Sequence, residues 1–105
     1  MKATEAQALA RFAALSQETR LRIVRLLVVA GEAGLAAGVL AARLDASASR
    51  LSFHLTHLEH AGLVTSRREG RSIIYCAVYP ALTALVEFLN HDCCRGIEDN
   101  THVSC

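Results

Sequence analysis

At 105 residues the chain has the length of one domain, and a chain this short buries only a modest share of its surface, so pairing with a second copy would be an economical way to bury more. Its composition, 52% hydrophobic and 20% charged, excludes a disordered chain. The formal net charge of +1 neither demands nor excludes nucleic acid, so the placement of charge has to decide.

Leu and Ala dominate and aromatic residues are few, which favours helices. Ala6, Leu9, Ala10, Ala13 and Ala14 recur at helical spacing and predict a first helix over 4–15. Ser16 is the expected cap of a second helix, whose apolar run of Leu21, Ile23, Val24, Leu26, Leu27 and Val28 ends near Gly31. Beyond Gly34 a short helix is expected over 35–44, with Leu35, Val39, Leu40 and Leu44 on one face. Asp45-Ala46-Ser47 is turn-like, and Asp45 or Ser47 can cap the helix that follows, over 47–60. In that helix Leu51, Leu55 and Leu58 form the apolar stripe. Ser49, Arg50, Ser52, Phe53, Thr56 and His57 fall mostly outward. Gly62 is a good helix stop. Strands are then predicted over 63–67 and 72–79, joined by a Glu69-Gly70-Arg71 turn into a hairpin. Pro80 suits the first turn of a last helix, striped by Leu82, Leu85, Val86 and Leu89 and ending near Asn90. Residues 91–105 lack periodicity and read as a tail. The expected organisation is a domain over 1–90 followed by a cysteine-containing tail over 91–105.

Two short helices joined by a tight turn, over 35–58, are the signature of a helix-turn-helix unit, which sets its second helix in the DNA major groove. The expected contacts to phosphates and base edges are Ser47, Ser49, Arg50, Ser52, Phe53, His54 and His57. Arg67, Arg68 and Arg71 around Gly70 make the hairpin a basic wing suited to the neighbouring backbone or minor groove. Between residues 43 and 71 Arg43, Arg50, Arg67, Arg68 and Arg71 outweigh Asp45, Glu59 and Glu69, so the middle of the chain is its basic part.

No signal peptide is read in the polar start of the chain. Apolar runs such as 26–30 fall far short of the roughly 20 residues that span a bilayer. A cytoplasmic protein with no membrane partner is expected, and with it reduced thiols. Cys93 and Cys94 are adjacent in a polar setting between Asp92 and Arg95, and Cys105 lies eleven positions beyond Cys94. Adjacent thiols pair poorly as disulfides, but both can face one soft ion. Trivalent arsenic or antimony, As(III) or Sb(III), suits three thiols, and Cys105 is within reach as the third. Cys76, between Ile74 and Val78 on the second strand, reads as a small buried hydrophobe. His91 and His102 could serve a borderline metal but read better as exposed polar residues.

The segment SASRLSFHLTHLEHAGLVTSRREGRSIIYCAVYP resembles the core of the ArsR/SmtB family of repressors. It shares the serine-rich entry to the recognition helix, His54-Leu55, Leu58, Ala61-Gly62-Leu63-Val64, and the wing residues Arg68, Gly70-Arg71 and Tyr75. Upstream, ALSQETRLRIVRLL is similar to the family's second helix, so the likeness runs over about residues 5–90. It implies a mainly α winged helix-turn-helix homodimer whose first and last helices form the two-fold interface. Its operator would be an imperfect palindrome in double-stranded DNA. The tail HDCCRGIEDNTHVSC resembles the branch of that family that senses arsenite through a cysteine pair after the last helix, although the third cysteine is often closer to the pair in that branch. The resemblance therefore implies a repressor, not an enzyme, that leaves its operator when Cys93, Cys94 and Cys105 bind the metalloid.

Two rivals differ in signal or class. The same fold could sense another soft metal, or reactive sulfur or oxidants, through Cys93 and Cys94. A small thiol enzyme is disfavoured, because no C-x-x-C lies near a βαβ pattern and no Asp/His pair stands ready to activate a nucleophile. A third rival is an interaction module on the same fold that binds no DNA.

Overall fold

The computed structural model describes residues 3–97. Its elements in chain order are α1 (Glu5–Leu15), α2 (Glu18–Ala30), a 3-10 turn (Gly31–Ala33), β1 (Leu35–Ala36), α3 (Ala37–Leu44), α4 (Ala48–His60), β2 (Val64–Glu69), β3 (Ser72–Ala77) and α5 (Tyr79–Asn90). The predicted winged helix-turn-helix layout holds: α3 and α4 form the helix-turn-helix and the β2–β3 hairpin follows at once. One strand was not expected. Leu35-Ala36 leaves the helical path and pairs antiparallel with β3, Leu35 opposite Tyr75 and Ala36 opposite Ile74. The sheet is therefore three-stranded in the order β1-β3-β2, and the start of the helix-turn-helix is bonded to the hairpin.

Local chemistry explains the boundaries. The Thr4 hydroxyl accepts from the Gln7 backbone N–H while the Gln7 side chain accepts from the Thr4 N–H, a reciprocal cap that starts α1. Gln17, not Ser16, caps α2, its side-chain oxygen accepting from the Arg20 N–H at 2.9 Å. Ser16 is occupied ending α1, its N–H and hydroxyl both donating back to carbonyls of the last turn. Asp45 takes the left-handed conformation that closes α3, and Ser47 caps α4 by accepting from the Arg50 N–H. Gly62, at φ +76°, turns the chain out of α4 as expected. Pro80 sits in the first turn of α5, where its missing N–H costs nothing.

The core lies where α2, α4 and the sheet meet. Ile23, Leu27, Leu40, Leu58 and Leu63 are its largest fully buried side chains, and each contributes on the order of 1.5–3 kcal/mol of burial free energy. Polar ties set the angles of the elements around it. The Arg11 guanidinium donates to the Ala61 carbonyl at 3.0 Å, fastening α1 to the exit of α4. The Tyr79 hydroxyl donates to the Leu27 carbonyl at 3.3 Å, fastening α5 to α2. Not every apolar side chain is covered: Leu9 on α1 is 65% exposed, and Val86 and Leu89 on α5 are 59% and 68% exposed.

Candidate nucleic-acid interface and thiol turn

The recognition helix sorts its side chains by the 3.6-residue period. Leu51, His54, Leu55 and Leu58 point inward, while Ser49, Arg50, Ser52, Phe53, Thr56 and His57 are exposed. Ser52, Phe53, Thr56, His57 and His60 line a shallow depression on that outer face. Ser47 uses its oxygen on the helix cap, and its hydroxyl lies 3.4 Å from that of Ser49. Both serines stand at the positive end of the α4 dipole, where an anion such as a DNA phosphate is favoured.

His54 is not on this surface, contrary to the expectation that it reads DNA. It is buried, and its Nδ1 lies 3.3 Å from Nη1 of Arg20, which must be the donor. The ring is then the Nε2–H tautomer. Arg20 also donates from Nε to the Ala14 carbonyl at 2.7 Å, so one guanidinium joins α1, α2 and α4. The reason was readable: His54 stands three residues after Leu51 and four before Leu58, on the apolar stripe. Burial first, then the charges of Arg20, Arg50 and His57, lower its pKa from the ordinary 6.5. The folded chain therefore resists a proton that the unfolded chain takes up freely. The stability that the neutral ring contributes is present above pH 6.5 and is lost as the pH falls below that value toward the lowered folded pKa. Urea midpoints at pH 7.5, 6 and 5 should show this loss, and His54→Leu should flatten it. An unchanged slope in that variant would assign the pH dependence to other groups.

The wing is the β2–β3 hairpin, turned at Gly70, which has φ +61°. Arg67, Arg68 and Arg71 are all exposed, but they are not equivalent. Among the described residues Arg68 and Arg71 have no ion-pair or side-chain hydrogen-bond partner. The Arg67 guanidinium donates from Nε to the Glu69 carboxylate at 2.6 Å and from Nη2 to the Ala33 carbonyl at 3.0 Å. Its Nη1 donates to the Glu32 carbonyl at 3.3 Å and lies 3.2 Å from the Cys76 sulfur. Cys76, expected as a buried hydrophobe, is half-buried beneath that guanidinium and donates to the Glu32 carbonyl at 3.6 Å.

Beyond α5 the chain makes a tight turn over 91–94. The Cys93 N–H returns to the Asn90 carbonyl, and Arg95 closes the turn with a 2.7 Å ion pair to Asp92. Asp92 and Cys94 both take positive φ, +59° and +65°, which non-glycine residues rarely do. The result is that the two exposed thiols lie on one side with their sulfurs 3.1 Å apart. His91 lies beside Asp92, at 3.5 Å between Nε2 and Oδ2. Cys105 and His102 lie outside the described residues. Among the described residues no three His, Cys, Asp or Glu side chains form a metal-sized group, so the pair supplies two soft donors and requires a third. No helix among those residues is long and apolar enough to cross a membrane.

A helix-turn-helix domain family model matches residues 15–67. The transcriptional activator HlyU of Vibrio cholerae is 33% identical over 96 residues, covering 91% of this chain and 86% of that protein. A putative arsenical resistance operon repressor, ArsR of Halobacterium salinarum, is 45% identical over 58 residues, covering 55% of this chain and 44% of its own length. Among solved structures, an ArsR-like transcriptional regulator from Rhodococcus sp. RHA1 superposes with a TM-score of 0.71 at 39% identity, covering 81% of this chain and 77% of that one.

Proposed function

The chain belongs to the ArsR-like family of helix-turn-helix transcriptional regulators, and within it we propose a homodimeric repressor that binds an imperfect palindrome and leaves it when As(III) or Sb(III) is captured by Cys93 and Cys94, with Cys105 as the third thiol. The observation that carries this reading is the pair of sulfurs 3.1 Å apart at the end of α5. Two thiols facing one way present a ready chelate to a soft ion, where adjacent side chains would ordinarily diverge. The reaction with arsenous acid is balanced without a redox partner: three thiols displace three hydroxyls, forming three As–S bonds and releasing three waters.

Position supplies the coupling. The uncovered faces of α1 and α5, marked by Leu9, Val86 and Leu89, are the apolar surface that a second copy would cover. The thiol turn directly follows α5, so tying the tail to it alters the end of the dimer helix and thereby the separation of the two recognition helices. Half-sites about 34–36 Å apart, or a multiple of that, fit only one such separation. The coupling is reciprocal, so operator DNA weakens metalloid binding by the same factor. The H. salinarum relative, named for arsenical resistance, supports the choice of inducer.

Gel shift of the protein on its own promoter duplex tests the reading. Affinity should fall steeply with salt, with a slope near −0.9 per phosphate contacted in a plot of log K against log salt. Arsenite at constant salt should release the duplex. A chain that stays monomeric and ignores this DNA at low ionic strength would end the proposal. One observation favours a second signal: sulfurs this close also suit joint oxidation of the two thiols, and mass spectrometry after polysulfide or peroxide treatment without metal distinguishes it from metalloid capture.

A further inference from the structure

We infer that Arg67 is a positioning residue of the wing, not one of its DNA contacts, and that it holds Arg68 and Arg71 at a fixed height relative to the recognition helix. The inference rests on the reading of the hairpin as a DNA-binding wing and separates Arg67 from its two neighbours. Arginine has a rigid fork of donors, and here the fork is occupied by partners of this chain. Nε holds Glu69 on the same strand at 2.6 Å, Nη2 holds the Ala33 carbonyl at 3.0 Å, and Nη1 reaches the Glu32 carbonyl at 3.3 Å and the Cys76 sulfur at 3.2 Å.

These partners come from three places. Glu69 belongs to β2 close to the hairpin turn, Cys76 to β3, and Glu32 and Ala33 to the 3-10 turn that leads into β1 and α3. The guanidinium therefore joins the outer half of the wing to the entrance of the helix-turn-helix. The β1–β3 pairing sets Leu35 and Ala36 opposite Tyr75 and Ile74, and Arg67 faces the same Ile74 from the other side of this central strand, so the brace continues the sheet's own connection by side-chain bonds. The carbonyls of a 3-10 turn need donors, and this arginine supplies them. A phosphate seeking Arg67 would have to displace an ion pair and two carbonyl bonds. Arg68 and Arg71 have nothing comparable to give up among the described residues.

The full-length dimer on its own promoter duplex can separate the roles, using Arg67→Ala, Arg67→Lys, the double variant Arg68→Ala/Arg71→Ala and the triple variant Arg67→Ala/Arg68→Ala/Arg71→Ala. Kd and the salt slope are read for each, with a melting curve to confirm that each is folded. The double variant should lose affinity, with its slope shallower by about 0.9 for each phosphate contact removed. Arg67→Ala should fall to the same level, at least about tenfold below the native chain, because each phosphate contact carries a factor of about three between roughly 50 and 200 mM salt and two contacts are lost together. The triple variant should match the double in both readings. Arg67→Lys should behave like Arg67→Ala, since an ammonium cannot serve four partners in a plane.

Native-like binding by Arg67→Lys overturns the inference, because a lysine replaces an arginine well on a phosphate. So does a triple variant that is weaker and shallower in slope than the double, or a native-like Arg67→Ala. A native-like double variant removes the wing reading itself. General destabilisation by Arg67→Ala does not imitate the expected result, because it would add to the loss in the double variant.

Discussion

Arg67 aside, replacing Cys93 or Cys94 with serine is expected to raise the arsenite concentration that half-releases the operator by more than 100-fold, while leaving the affinity of the uninduced protein for DNA unchanged. Loss of a mere outer partner already costs a metal site roughly 10–100-fold, and here a soft donor is replaced by a hard hydroxyl. Both sulfurs are exposed on a turn outside the core, so their removal costs the fold little. Release followed by gel shift over an arsenite series measures the effect, and a melting curve checks the fold. Equal doses for both variants and the native chain would remove the cysteine pair from the signal. The response of Cys105→Ser then reports on the third thiol: a lost response to arsenite assigns it to Cys105, and a retained one requires another donor. Counting As–S bonds by X-ray absorption provides the independent check, with three expected in the native chain.

Much of the fold was legible because its strongest signals are periodic. The stripes of α2 and α4, the glycine after α4 and the β-branched run of β3 each state their structure locally, and the winged layout follows from their order. What escaped was tertiary. Two residues cannot show a strand period, so by sequence Leu35-Ala36 reads as the start of a helix, and only its partners on β3 make it a strand. The chemistry of His54 suggests a DNA-reading residue, whereas its spacing places it with the leucines, where it is buried. Arg67 looked like Arg68 and Arg71 because nothing local marks the Glu32 and Ala33 carbonyls, more than thirty residues away, as its partners. For the thiol site the sequence supplied the adjacency of Cys93 and Cys94. Their common direction depends on left-handed backbone at Asp92, which aspartate tolerates better than most residues, and at Cys94, which nothing in the sequence marks for it.

Gly34→Ala should be the most damaging small substitution in the DNA-binding half of the molecule, costing about 3 kcal/mol or more. Gly34 has φ +67° and ψ −169°, a combination essentially confined to glycine, and forcing a side chain into it costs on the order of 1–3 kcal/mol. A Cβ there would also stand 2.5 Å from the Tyr75 carbonyl oxygen, 2.7 Å from the Cys76 sulfur and 2.8 Å from Ile74 Cγ2. The first of these is backbone inside the sheet and cannot rotate away, so overpacking adds roughly another 1–3 kcal/mol. Gly31 provides the control. Its φ is +75°, yet nothing lies within 4 Å of its would-be Cβ, so Gly31→Ala carries the conformational cost without the collision. The difference between the two variants in urea midpoint isolates the close approach of the β1 entrance to β3. That approach is what lets Leu35-Ala36 pair with the sheet and lets Glu32 and Ala33 reach Arg67, so Gly34→Ala should weaken DNA binding beyond its effect on the folded fraction. Equal stability of the two alanine variants would mean that this junction is looser than its geometry, and the wing would then be free to move independently of the recognition helix.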